Sequence, residues 1–367
     1  MKKRILLLIE DSLIADFFSD KLAACGLEVK VASGSMNGVD QFKKEGADLI
    51  LIDPVFSTSD GLDAIRALRE YSEQLPILVL GNMPYTMIRG VQSAGATKII
   101  ANAENPFKTV FTELQLLVEN LSLDEKTHFS YPDEYWLGYC LGAAPDTIKA
   151  MRLDAYSFAK TRSDESLLYS LFRQTHHLAA QLAAVGLIPL WKMARSIELL
   201  VYDLYEMPEE IGDSTVRTAV QAVDFLGTLF DSAVIARLSD PVGQAILAVD
   251  DEPFALQTIS HAMERVGLLL TSAVNASDAL NLLQTVDFKL VLLDIGLPAV
   301  NGFDLCKQAR GIPRCRKTPI VFLTGMTTFQ NRALSTLSGG NDFIGKPFNL
   351  FELGTKALSW VLKAQLG

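Results

Sequence analysis

Two sets of short apolar runs, matched in order and spacing but far apart in the chain, constrain the fold most. The first set reads RILLLIEDS, ADLILIDPVFSTSDG and LPILVLGN; the second reads AILAVDDEP, FKLVLLDIGLPAVNG and TPIVFLTG. Asp11 pairs with Asp251, Asp53 with Asp294, Gly61 with Gly302 and Pro76 with Pro319 at a nearly constant offset. Continuous apolar runs alternating with helix-period segments indicate parallel strands covered on both faces. Each set therefore predicts a doubly wound α/β domain with a five-stranded parallel sheet, over residues 1–121 and 244–367.

Between them, over residues 131–238, no strand-like run occurs. Helix-period segments run from Thr147 to Lys160, Glu165 to Val185, Ile188 to Tyr205 and Val216 to Ile235, separated by breaks at Pro145-Asp146, Ser163-Asp164, Gly186 and MPEEIGDST. An all-α, four-helix-bundle-like domain is the simplest packing. LSLDEKTHFS after Leu121's run and LSDPVG before Gln244 read as linkers.

With 367 residues, 49% of them hydrophobic, the chain can bury several cores. A formal net charge of -10 argues against nucleic acid or an anionic membrane as partner, because their phosphates would be repelled. The apolar run in MKKRILLLIEDS stops at Ile9, too short for a signal peptide, and charges interrupt the other apolar stretches before they reach membrane-span length. A cytoplasmic protein is expected. Cys25, Cys140, Cys306 and Cys315 show no CxxC spacing and read as buried, reduced thiols.

Residues at the carboxyl ends of neighbouring parallel strands converge on one crevice. In the second set this gathers Asp250, Asp251, Asp294, Thr324 and, in the GKPF turn, Lys346. Three carboxylates repel one another unless a hard cation such as Mg²⁺ or Mn²⁺ sits among them. Together with a hydroxyl and a lysine, the set suits a phosphoryl acceptor: one carboxylate attacks phosphorus while the cations offset oxygen charge.

VDDE, D-x-x-L-P-x-x-x-G, LTG and GKPF, in that order, resemble the receiver domain of two-component response regulators, the CheY-like family, across the whole second set. The resemblance implies that Asp294 is the phosphoacceptor and that Asp250, Asp251, Asp294 and the Gly296 carbonyl hold Mg²⁺. It also implies that Thr324 and Lys346 read the phosphoryl group and that Phe343 is the switch aromatic. The first set keeps Glu10, Asp11 and Asp53. Gly81, however, stands where the hydroxyl belongs, Asn102 or Asn105 falls at the lysine position, and Pro54 removes an N–H beside Asp53. This set resembles a degenerate pseudo-receiver.

RQTHHLAAQLAAVG, from Arg173 to Gly186, carries two adjacent histidines on a helix-favouring run. Leu168, Leu171, Phe172, Thr175, Leu178, Leu182 and Val185 share the core face; His176 lies on its flank, and His177 points away with Arg173, Ala180 and Ala184. That small-residue surface could admit a close-docking partner. The segment is similar to histidine phosphotransfer (HPt) domains: with His176 as anchor, Leu178, Gly186 and Glu198 fall in register, although Ala179 and Ala180 replace a lysine and a glycine. The resemblance implies a phosphohistidine at His176 oriented by Glu198.

The favoured reading is a two-component phosphorelay protein in which phosphorylation of Asp294 switches protein contacts, with phosphotransfer involving His176. A sensor histidine kinase or phosphotransfer protein would supply phosphate, because no nucleotide-binding glycine loop is found in context. A downstream protein would sense the switch, and a homodimer through the fourth and fifth receiver helices is a further expectation. Catalysis beyond slow self-phosphorylation and dephosphorylation is not expected. An alternative is an interaction scaffold in which only the last receiver switches. A third, an Mg²⁺-dependent phosphatase of the haloacid dehalogenase type, is opposed by Gly296, where that chemistry needs a second acid.

Overall fold

The computed structural model describes residues 3–57, 61–81, 83–101, 106–117, 134–325 and 337–366. The first apolar set forms β1 (Arg4–Leu8), β2 (Glu28–Ala32), β3 (Leu49–Ile52), β4 (Ile77–Gly81) and β5 (Lys98–Ala101), all parallel, in the order β2-β1-β3-β4-β5. Helices α1 (Ser12–Ala24), α2 (Ser35–Glu45), α3 (Gly61–Tyr71), α4 (Tyr85–Ala94) and α5 (Pro106–Leu117) alternate with or follow these strands. Asn102, Asn105, the linker after Leu121 and the start of the middle segment at residue 131 lie outside the described residues.

Four long helices follow or flank short turns: α6 (Glu134–Thr161), α7 (Glu165–Val185), α8 (Ile188–Glu206) and α9 (Asp213–Leu229), then the short α10 (Ser232–Ile235). Asp164 caps α7 by accepting from the Ser166 N–H, and Gly186 closes it in the left-handed conformation, φ +79°. The break expected at Pro145 is absent: α6 runs through it. Pro145 lies at an exposed position of α6, where the N–H it lacks is not demanded by a packed core.

The second set forms β6 (Ala245–Val249), β7 (Leu269–Ala273), β8 (Leu290–Asp294), β9 (Ile320–Thr324) and β10 (Asp342–Gly345), again all parallel, with the matching order β7-β6-β8-β9-β10. With them run α11 (Pro253–Arg265), α12 (Ala276–Thr285), α13 (Gly302–Gly311) and α14 (Leu350–Leu366). Side-chain alternation builds a core on each face. Leu247, Val249, Val291 and Leu293 meet Leu283 and Phe303 on one face; Ile246, Ala248, Leu290 and Leu292 meet Ile259, Met263, Leu353 and Val361 on the other.

The structure divides into two compact units, residues 1–154 with 164–198, and residues 155–163 with 199–367. The pattern of strand-like runs and helix-period segments suggested three segments. In the first unit α7 is tied to the sheet domain by Tyr169, whose hydroxyl donates to the Phe56 carbonyl at 3.0 Å, and by Gln181, which donates to Asp11 at 2.8 Å. In the second, α9 is tied to α14 by Ser214 and Thr218, whose hydroxyls donate to the buried Glu352 at 2.5 and 2.9 Å.

Strand register corrects one pairing from the sequence. Leu8 lies opposite Ile52 and Val249 opposite Leu293, so the sheets align with Ile9 at the place of Asp250 and Glu10 at that of Asp251. Asp11 then matches Glu252, not Asp251, and both stand at the N-cap of the following helix. The repeat places a buried isoleucine, 1% exposed, where the second pocket has a buried acid.

Candidate functional site

The crevice of the second unit lies at the carboxyl ends of β6, β8 and β9. Asp250 and Asp294 are buried there, Thr324 ends β9 nearly fully buried, and Asp251 is exposed. Lys346 lies just beyond β10, its Nζ 2.7 Å from Asp250 Oδ2 and 2.8 Å from Asp294 Oδ1. The Glu252 N–H donates to the other Asp250 oxygen at 3.0 Å. Gly302 begins α13 against β8, where a methyl group would overlap the Asp294 carbonyl oxygen, so the turn beside Asp294 admits only glycine.

Burial raises the Asp250 carboxyl above its usual range, the neighbouring Asp294 adds to this, and the hydrogen bond from Lys346 only partly offsets it. The Lys346 ammonium is pulled down by burial, but its bonds to Asp250 and Asp294 raise it on balance. One ammonium among three carboxylates leaves the cluster short of positive charge. Asp250, Asp251 and Asp294 each offer a carboxylate oxygen, all within 4.8 Å of one another. Such all-oxygen donors suit a hard divalent cation that keeps part of its water shell. Among the described residues this is the one such group of acids and metal-binding side chains.

The equivalent crevice of the first unit is filled from within. His176, on α7, is fully buried, with Nε2 3.1 and 3.0 Å from the two Asp53 oxygens and Nδ1 2.6 Å from Glu198 Oε1. An ionised carboxylate only accepts, so both ring nitrogens donate and the ring is an imidazolium. Burial pushes the imidazole down, but the charges and hydrogen bonds of Asp53 and Glu198 outweigh it and raise His176 to about 10. Burial pushes Asp53 up, and the His176 charge and hydrogen bond reverse that, holding it below the usual carboxylate range. The Val55 N–H also donates to Asp53, at 3.0 Å. Arg195 stands 3.4 Å from the second Glu198 oxygen, balancing two buried anions with two cations.

Around this core, Arg173 meets Glu10 Oε1 at 3.1 Å while the Ser57 N–H donates to Glu10 Oε2 at 2.6 Å. Asp11 accepts from Gln181 and, as helix cap, from the Ile14 N–H at 2.9 Å. His177 lies 3.9 Å from Asp11; burial and the neighbouring His176 charge lower its pKa, against the pull of Asp11. At Gly81, φ +136°, a Cβ would come within 3.0 Å of His176 Cε1. The missing hydroxyl side chain is the space the imidazole uses.

Residues 246–357 match the family model described as the response regulator receiver domain. The chain belongs to that family through this segment. An uncharacterized 14.6 kDa protein of Leptolyngbya boryana is 34% identical over 108 residues, covering 29% of this chain and 82% of that protein. The transcriptional regulatory protein GltR of Pseudomonas aeruginosa is 30% identical over 123 residues, 34% of this chain and 51% of its own length. The match thus spans about half of that regulator. Among solved structures, chemotaxis protein CheY4 of Vibrio cholerae is 28% identical, covering 32% of this chain and 97% of that chain with a TM-score of 0.31. The receiver domain of sensor histidine kinase PA1611 of Pseudomonas aeruginosa, solved with a magnesium ion in its active site cleft, is 27% identical over 33% of this chain and 98% of that chain, TM-score 0.31.

In the receiver domain, Asp250, Asp251, Asp294 and Lys346 come together as the motif order suggested. Gly296 lies on the exposed loop after β8, where a Cβ would stand 3.2 Å from Asp294 Oδ2. Phe343 is half-buried in β10, with the Arg217 guanidinium 4.7 Å above its ring. In the first unit Glu198 meets His176 as the motif register suggested, and His176, expected on the flank of the core face, is fully buried. Glu10, Asp11 and Asp53 do not form a three-acid group there. Sequence reasoning missed Arg173, Gln181 and Arg195; Arg173 and His177 on one outer face, opposite an acid-rich strand end, were the available signal.

Proposed function

We propose that this chain is a two-component phosphorelay protein in which Mg²⁺-dependent phosphorylation of Asp294 switches protein contacts. The observation that carries the reading is the convergence of Asp250, Asp251 and Asp294 under a single bridging lysine, Lys346. An Asp294 carboxylate oxygen attacks phosphorus, the donor's bond to phosphorus breaks with its leaving group, and an acyl phosphate forms. Asp250, Asp251, Asp294 and the Gly296 carbonyl would hold Mg²⁺, which supplies positive charge to phosphoryl oxygens. Thr324 and Lys346 then contact the phosphoryl group, and Lys346 exchanges a carboxylate partner for a phosphate one. The donor is a sensor histidine kinase or phosphotransfer protein of the cytoplasm; no helix of the described residues is long and apolar enough to cross a membrane.

The middle helices are read as an HPt-like bundle with His176 as phosphoryl carrier and Glu198 as its orienting partner, and the first α/β domain as a pseudo-receiver. The stacking of Arg217, on α9, over Phe343 supports an output in which the switch aromatic is read by this chain's own helix. The scaffold reading, in which only the last receiver switches, is favoured by one observation: His176 is 0% exposed. Intact-mass analysis after incubation with acetyl phosphate and Mg²⁺ tests the main reading. One phosphoryl adduct is expected on wild type and on Asp53→Asn, and none on Asp294→Asn. An adduct that persists in Asp294→Asn would overturn it.

A further inference from the structure

We infer that the carboxylate pocket of the first α/β domain is a binding site for an imidazolium side chain, filled by the chain's own His176, and that this occupancy withholds His176 from phosphorylation. The inference rests on reading His176 as a phosphoryl carrier and adds the control of that carrier.

Several independent features of the pocket fit this ligand. Asp53 receives the ring edge with both oxygens at 3.0 and 3.1 Å, while Glu198 holds the opposite nitrogen at 2.6 Å. Gly81 leaves the volume for the ring that a Thr324-like side chain would occupy. Ile9 stands in place of Asp250, one of the two acids that bind Lys346 in the second pocket, so among the described residues of this sheet domain Asp53 is the one buried carboxylate. Around the ring, Arg173 on Glu10 and Gln181 on Asp11 complete a complementary rim. Two acid pockets of one chain have thus taken different cations: an ammonium from their own sheet domain in one, and an imidazolium from a helix in the other.

Docking and phosphorylation exclude each other chemically. To accept phosphate, Nε2 needs a lone pair, with the remaining ring proton on Nδ1 shared with Glu198. In the docked state Nε2 donates to Asp53, and a phosphoryl group placed there would meet two anionic oxygens at hydrogen-bond distance. The helix must leave the pocket first, so the reaction rate falls by the equilibrium constant for that opening.

Potassium phosphoramidate tests this on the full chain. Nε2 attacks phosphorus, the P–N bond of the donor breaks, and ammonia leaves with the ring proton. The double variant Arg173→Glu and Gln181→Glu sets like charges against Glu10 and Asp11 without touching His176 or Glu198. Gly81→Thr independently fills the ring's space, and far-UV circular dichroism checks that each variant is folded. Peptide mass mapping should find phosphohistidine at His176 formed about tenfold or more faster in the undocked variants than in wild type, and none in His176→Ala. Equal rates in wild type and both folded variants, whether high or nil, would overturn the inference. Acetyl phosphate labelling of Asp294 in the same preparations is expected to be unchanged; its failure would sink the receiver reading and leave this one standing.

Discussion

Raising the pH from 7 to 9 should selectively weaken the first unit by discharging His176. The folded imidazole is held at about 10, above an unfolded value near 6.5, so its contribution is complete below pH 6.5 and is lost as pH rises through 10. Linkage gives a contribution of about 4 kcal/mol at pH 7 and about 1.5 kcal/mol at pH 9, a loss of about 2.5 kcal/mol. The group is fully buried, so solvent screening does not reduce this. Urea denaturation in a Trp360→Phe background, followed by tryptophan emission, reports on the unit, because the remaining Trp136 and Trp191 are both buried within it. The quantity to compare is the wild-type stability minus that of His176→Gln, in which other titrating groups cancel. That difference should shrink steadily between pH 7 and 9. A difference that is flat, or that grows with pH, would show that His176 is not held as an imidazolium between Asp53 and Glu198.

Other consequences follow from particular contacts. Gly302→Ala should cost at least about 2 kcal/mol of stability in thermal or chemical denaturation, because the added methyl meets the Asp294 backbone, which cannot give way as a side chain could. Thr218→Val removes one of two hydroxyls that satisfy the buried Glu352 and should cost about 1–2 kcal/mol in the transition of the second unit. Asp251→Ala, at an exposed position, should leave the melting profile unchanged while weakening Mg²⁺ binding roughly tenfold by calorimetry, since it deletes one of three carboxylate donors.

The sheets were legible because continuous apolar runs of strand length, the first two of each set ending at an acid, leave few alternatives to parallel strands buried on both faces. The Asp294 pocket followed because its residues sit at strand ends that topology must bring together. The one-residue shift that puts Ile9 at the place of Asp250 was hidden: IED and VDD look alike as strings, and only hydrogen-bond register tells which residue leaves the strand first. The helix through Pro145 was missed for the opposite reason, a strong local breaking signal overridden by a 28-residue helix that carries the proline at an exposed position. His176 was placed correctly against Glu198, which lies one helix away, but its meeting with Asp53 depends on a docking that no local pattern encodes. Gly81 carried the trace of it, a loss of the hydroxyl that the ring's bulk makes necessary.

On the proposed function, one acid pocket of this chain takes a metal and a phosphoryl group while the other is occupied by the His176 imidazolium. Titrating the isotope-labelled protein with Mn²⁺ and following paramagnetic broadening of backbone amides measures this directly. Broadening confined to amides around Asp250, Asp251 and Gly296, with those of Val55 and Gly81 unaffected at equal Mn²⁺, is the predicted result. Comparable broadening at Val55 and Gly81 would mean that the first pocket binds the cation as the second does, which contradicts its occupation by His176.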